Sequence, residues 1–243
     1  SLTPLLFVAL WSTGFIGAKF GLPDAGPLTF LSLRYAIVLV LMGALAWATR
    51  APWPRTVREW LHIGVSGLLV HAVYLGGVFI AIGHGLPAGV TALVVGLQPV
   101  LTALGAGVFL GERVRPTQWL GLALGFVGVA LVVAHKVAAS TSGGALLSML
   151  LPAVVALLGI TAGTLYQKRY CHAFDLRTGS VVQFLPSLLL TLLVASLTET
   201  LQIHWTGAFV FALAWLVLVL SLGAVSLLNV LIRSGSAVNV ASL

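Results

Sequence analysis

The stretch Pro27 to Ala48 reads PLTFLSLRYAIVLVLMGALAWA, and it decides the fold. Arg34 is its one charge. As a helix the run would be about 33 Å long, enough to cross the hydrocarbon core of a bilayer. Its apolar residues do not alternate with polar ones, so a half-buried strand is a poor description. Working outward, similar stretches fall at roughly 3–21, 60–82, 87–110, 116–135, 145–167, 177–198 and 207–232. The breaks between them carry turn chemistry, as in Leu22-Pro23-Asp24-Ala25-Gly26-Pro27, Ala51-Pro52-Trp53-Pro54, Gly83-His84-Gly85-Leu86-Pro87 and Ser140-Thr141-Ser142-Gly143-Gly144. The expected fold class is an all-α integral membrane protein with about eight complete helices.

Composition agrees. Of 243 residues, 60% are hydrophobic and 7% charged, against about 25% charged in a soluble domain. That excludes a water-soluble globule and a disordered chain, and the lone Cys171 excludes a disulfide-stapled one. The net charge of +7 does not point to nucleic acid, because the basic residues sit in short clusters between spans and form no continuous face. With the N-terminus in the cytoplasm, the inner loops hold Arg50, Arg55, Arg58, Arg113, Arg115, Lys168, Arg169, Arg177 and Arg233. The outer side holds Lys19 and Lys136. This is the positive-inside pattern. Trp47, Trp53, Trp60, Trp119 and Trp205 lie at span ends, where interface anchors belong.

The chain matches itself at an offset of 149 residues. Ser12 and Gly14 meet Thr161 and Gly163, Lys19 meets Lys168, Thr29 meets Thr178, and Arg34-Tyr35 meets Gln183-Phe184. A unit of five helices is odd, so its second copy must enter the membrane upside down. The expectation is an inverted repeat, 1–139 and 140–243, with a binding site near the midplane between the halves. The offset places the counterparts of Val95 to His135 beyond Leu243, so the second unit is expected to be incomplete here.

Residues 85–135 carry the most specific pattern: Leu97-Gln98-Pro99-Val100, Leu110-Gly111-Glu112-Arg113, Gln118-Trp119-Leu120-Gly121, then Gly125 and Gly128-Val129-Ala130. With Trp11 and Lys19 in the first span, the chain resembles the EamA-type branch of the drug/metabolite transporter superfamily. Within that branch it is most similar to amino-acid exporters of the aromatic amino-acid type. The resemblance implies ten helices in two inverted five-helix units and export of small metabolites, amino acids prominent among them. It also implies a multi-pass protein of the bacterial cytoplasmic membrane.

Read as residues, Gly121, Gly125 and Gly128 share a helical face and are expected to let a neighbouring backbone approach. Glu112 reads as a cap or a loop ion-pair partner. Pro99 is expected inside a helix beside Gln98, where the freed carbonyl must be satisfied or line a cavity; a packing kink and a kink near the solute path both fit.

Polar groups inside spans are costly and mark candidate sites. The substrate-binding set is Trp11, His71, Tyr74, Gln98, Tyr166 and Asn229, and Arg34, Gln183 and Pro99 are the gating or orienting set. Ser12, Thr13, Ser66, Thr161, Thr164, Gln167, Ser221 and Ser226 are further interior polar residues. Aromatic residues with one polar atom suit a small amphipathic solute. Arg34 lies about 10 Å deep by helix rise, where it either snorkels outward or holds a solute carboxylate or a helix C-terminus. Asp24, Glu59, Glu112, Asp175 and Glu199 fall at span ends or in loops, so no carboxylate offers a proton or sodium site at membrane depth. That favours gradient-driven movement, with at most a His71-linked proton dependence.

No metal site, cofactor or catalytic constellation is expected. The expected partners are a small-molecule solute and membrane lipid, with the chain a monomer or weak dimer and no nucleic acid bound. Two alternatives to export remain: a flippase for lipids or lipid-linked carriers with the same fold, and a non-transporting membrane scaffold.

Overall fold

A computed structural model describes residues 3–111, 116–138, 143–171, 174–224, 227 and 231. The described residues are helical, apart from turns and an isolated bridge between Ala25 and Ile203. In chain order the elements are α1 (Thr3–Gly21), α2 (Pro27–Ala48), α3 (Val57–Gly67), the π-helix π1 (Leu68–Leu75) and α4 (Gly76–Gly83). Next come α5 (Ala88–Val95), α6 (Gln98–Phe109), α7 (Pro116–Ala138), α8 (Gly143–Tyr170), α9 (Leu176–Thr198), α10 (Gly207–Trp215) and the π-helix π2 (Leu216–Ala224). The run α3–π1–α4 is one continuous rod, as is α10–π2. Pro27–Ala48, Val57–Gly83, Ala88–Gly107, Ser148–Tyr170 and Leu176–Thr198 are each long and apolar enough to cross a membrane.

Local chemistry fixes the helix ends. Pro27 opens α2, where a missing N–H costs nothing. Thr56 accepts from the Glu59 N–H, while Glu59 reaches back to the Arg55 N–H at 2.7 Å, a variant of the capping box. Asp175 and Thr206 cap α9 and α10. Gly85 and Gly111, at φ +99° and +68°, take the left-handed conformation just past the ends of α4 and α6.

The bundle is organised around α2 and α9, which run antiparallel along their whole length. Glu199, just past the end of α9, accepts from the Leu28 and Thr29 N–H groups at the start of α2, each at 2.8 Å. One-third of the way along, the Ser32 hydroxyl donates to Thr191 at 3.3 Å. Tyr35 and Phe184 then meet with ring centroids 5.3 Å apart. Beyond the far end of α2, the Pro52 carbonyl accepts from Thr178 at 2.7 Å. The offset of 149 carries Pro27 onto Leu176, the first residue of α9, and Gly21 onto Tyr170, the last of α8. It carries π1 onto 217–224, inside π2. The outer helices cross over: α1 packs on α10 and π2, and α8 packs on α3, π1 and α4.

Small residues permit these crossings. A Cβ on Gly67 would lie 2.5 Å from Gln183 Cα, and one on Gly77 would lie 2.5 Å from the Pro152 carbonyl oxygen. Gly159 and Gly163 likewise admit Val73 and Val70 of π1, as Gly14 and Gly17 admit Leu220 and Leu216 of π2.

Two expectations need correction. Pro99 is not inside a helix: the chain leaves α5 at Val95, turns through Gly96 and Leu97, and restarts at Gln98, with Pro99 in the first turn of α6. Gly96 supplies a compliant turn, and a proline in a first turn removes an N–H that had no helical partner. Among the described residues, Gly121, Gly125 and Gly128 do not receive a neighbouring backbone: nothing comes within 4 Å of where their Cβ atoms would be. Their face of α7 points outward, and Gly121 and Gly125 border a shallow groove with Gly96, Leu97 and Pro99.

Candidate functional site

A small chamber lies where α1, α2, π1, α4 and π2 meet. Trp11, Gly14 and Phe15 come from α1, Arg34 from α2, Tyr74 and Leu75 from π1, Val78 and Phe79 from α4, and Leu220 from π2. Trp11 and Tyr74 stack with planes 4° apart and centroids 6.2 Å apart. Gly14 is small because Leu220 fills the space a side chain would need. The cavity holds about 20 Å³, room for a water rather than a solute. Trp11 and Phe15 also border a groove of about 310 Å³ between α1 and α5, so they form the partition between the two spaces.

Arg34 is the charged member. Its side chain is buried, 1% exposed, so it does not snorkel to the surface. Nε donates to the Ser221 hydroxyl at 2.9 Å, and Ser221 in turn donates to the Leu216 carbonyl at 3.1 Å within π2. Nη1 has no hydrogen-bond partner among the described residues. The neighbouring Tyr35 donates to the His71 carbonyl at 2.8 Å, tying α2 to π1.

His71 lies behind the chamber rather than in its lining. Its ring stacks on Phe184 with centroids 4.1 Å apart and meets Tyr35 edge-on, and neither ring nitrogen has a partner among the described residues. Gln183 directly precedes Phe184 on α9, and its Nε2 donates to Ser66 at 3.1 Å and to Gln167 Oε1 at 3.4 Å. Its Oε1 is unpaired among the described residues.

The remaining predicted residues lie elsewhere. Tyr166 is bonded to His62 Nδ1 at 2.7 Å near the end of α8, one turn from Tyr170. Gln98 donates to Thr164 at 3.2 Å, in the crossing of α6 and α8. Glu112 and Asn229 fall outside the described residues. Sequence reasoning gave no role to Tyr35, and it placed Ser221 among interior polar residues without pairing it to Arg34. The offset that aligns Arg34-Tyr35 with Gln183-Phe184 was the available signal for Tyr35.

The end of the bundle that carries Tyr166 also carries Arg50, Arg55, Arg58, Lys168, Arg169 and Arg177. Pro52, Trp53, Arg55, Glu59, His62, Tyr170, Cys171 and Asp175 surround an open pocket of about 230 Å³ there. Asp175 is held below the usual carboxylate range, chiefly by its hydrogen bonds from the Arg177 guanidinium, the closer at 2.6 Å. Asp24, Glu199 and His204 gather at the opposite end, where Thr206 donates to Asp24 at 2.6 Å. Trp47, Trp53, Trp60, Trp119 and Trp205 are all exposed.

The model of the EamA-like transporter family matches residues 2–134, more than half of the chain. The chain belongs to the EamA-like transporter family. It is 30% identical, over 97% of its own length and 75% of the relative's, to the uncharacterized transporter YvbV of Bacillus subtilis. It is 36% identical to the probable amino-acid metabolite efflux pump of Salmonella typhimurium, over 53% of this chain and 41% of that protein. A solved crystal structure superposes on the whole chain with a TM-score of 0.72 at 21% identity, covering 82% of that structure; this likeness is one of fold. The EamA chain described here is therefore an all-α, multi-pass membrane transporter.

Proposed function

We propose that this EamA chain exports small metabolites, amino acids among them, by alternating access between two inverted repeats, 1–139 and 140–243. The chamber shared by α1, α2, π1, α4 and π2 is the transport site. The observation that carries this reading is the buried Arg34 beside the Trp11–Tyr74 stack, in a cavity walled by α1, α2, π1, α4 and π2. A fold built only for packing gains nothing from a guanidinium at that depth.

At about 20 Å³ the chamber is too small for a solute, so a solute enters only when its walls part. The walls draw on both repeats, with α1, α2, π1 and α4 from the first and π2 from the second. Rocking of the two repeats would open Trp11 and Phe15 toward one face of the membrane at a time. The N-terminus is cytoplasmic, with the basic end of the bundle inside. Movement follows the solute's own gradient.

Counterflow in proteoliposomes preloaded with amino acids, nucleosides or sugars tests the proposal. Accelerated exchange of amino acids over the other classes is expected; equal exchange of all, or of none, contradicts it. With the membrane potential clamped at zero, an imposed pH gradient should leave the final distribution unchanged. Concentrative uptake driven by that gradient would overturn the gradient-driven reading.

A further inference from the structure

Arg34 gives the chamber a fixed positive charge that no neighbour among the described residues cancels. Nε is engaged by the neutral Ser221 hydroxyl, and Nη1 is buried with no acceptor among the described residues. The described carboxylates are remote: Asp24 and Glu199 lie at one end of the bundle, Glu59 and Asp175 at the other. A buried charge without a counter-ion is unfavourable, and the penalty lifts when an anion joins it. Guanidinium matches carboxylate in shape, charge and paired donors better than it matches any neutral group.

We propose that Arg34 is the seat of a carboxylate on the transported solute, and that the chamber takes solutes of net charge −1 first, zwitterions next, and neutral molecules and cations last. This rests on the reading of the chamber as the transport site. Bound to a monoanion, Arg34 and the solute are together neutral. Bound to a zwitterion they keep one positive charge, because the solute's ammonium finds no carboxylate among the lining residues. The Trp11–Tyr74 wall takes the apolar body of the solute beside the anion seat. Acidic metabolites, such as 2-oxo acids or N-acylated amino acids, fit this charge pattern better than amino acids themselves.

A second consequence concerns the driving force. An anion carried alone moves charge, and an inside-negative potential pushes it outward. Export then needs neither a coupled proton nor a coupled sodium ion.

The test uses the full-length protein in liposomes and four probes of similar shape: N-acetylphenylalanine, phenylpyruvate, N-acetylphenylalaninamide and phenylalanine. Counterflow of the two monoanions should exceed that of the amide and of phenylalanine by about tenfold or more, the effect of one charge-assisted contact. Arg34→Gln should bring the ratio of monoanion to amide exchange down to about one, and Arg34→Lys should restore part of the difference. With valinomycin and a tenfold higher external potassium concentration, the monoanions should accumulate about tenfold and the amide should not. Equal exchange of amide and carboxylate by the wild type overturns the proposal without relying on any variant. Loss of all exchange on replacing chloride by gluconate would assign the seat to an inorganic anion, and also overturns it. Failure of every probe to exchange would defeat the transport reading as well.

Discussion

Arg34 and Gln183 occupy corresponding positions on the two central helices, yet their surroundings differ. Gln183 is neutral, and its amide nitrogen lies against Ser66 and Gln167, with His71 and Phe184 packed nearby. Arg34 is charged, has one neutral hydrogen-bond partner among the described residues, and borders a cavity. The antiparallel frame thus puts two polar groups at similar depth and gives only one of them a charge. On the proposed two-fold reading, the pairing of α2 with α9 accounts for where the proposed site is. The departure from it explains what the site can hold.

The largest expected effect comes from erasing that difference. Arg34→Gln makes the two positions alike, and transport of carboxylate solutes should fall by about tenfold or more while the protein stays monodisperse in detergent. Retained carboxylate transport would mean that the asymmetry is incidental.

Next in size is the packing of the two crossings. A Cβ at Gly67 meets the backbone of Gln183, which cannot move aside, whereas one at Gly14 meets the end of the Leu220 side chain, which can rotate. Gly67→Ala should therefore destabilise by about 1–3 kcal/mol, read as a lower thermal midpoint in detergent, and Gly14→Ala by clearly less. Equal midpoints would show that the α3–α9 crossing is looser than described.

The helix ends come third. Glu199 receives two N–H groups and the Thr29 hydroxyl at the start of α2, a cap supplied from another helix. Its loss in Glu199→Ala should cost about 1–2 kcal/mol. At the other end of the pair, Thr178→Val removes a single bond to Pro52 and should cost about 1 kcal/mol. Thermal unfolding of the two variants side by side checks the order.

The smallest effect belongs to Ser221→Ala, which removes the acceptor for Arg34 Nε and leaves the charge in place. Carboxylate KM should rise a few-fold with kcat little changed, as expected for loss of one hydrogen bond that orients the guanidinium. An unchanged KM would mean that Arg34 is held in place by packing alone.

Much of this architecture could be read before any coordinates. The apolar runs and the Pro/Gly turns mark the helical rods to within a few residues, because a bilayer tolerates little else. The offset of 149 was legible through sparse polar matches such as Thr29 with Thr178. The interruptions were not. Nothing in Leu68–Leu75 or Leu216–Ala224 marks a π-helix by residue type, and only their shared position under the offset ties them together. Pro99 reads as a kink until Gly96, three residues earlier, is allowed to end the helix first.

The candidate site was legible in part. Trp11, Arg34 and Tyr74 meet in the chamber because each lies mid-span on helices that cross there. Tyr166 does not, and its neighbours Lys168 and Arg169 already set it near the headgroup level. The Glu199 cap was invisible for a different reason: its partners lie 170 and 171 residues away. Depth along a helix can be counted from sequence, but partners on other helices cannot.

The central claim, a chamber reached alternately from the two faces of the membrane, has a direct measurement. In a Cys171→Ser background, Val78→Cys places a thiol in the chamber wall, at a position now 2% exposed. A membrane-impermeant thiol reagent applied to oriented vesicles should label it slowly from either side, and a transported solute should slow the labelling from both. Labelling from one side alone, or only by a lipid-soluble reagent, would contradict alternating access.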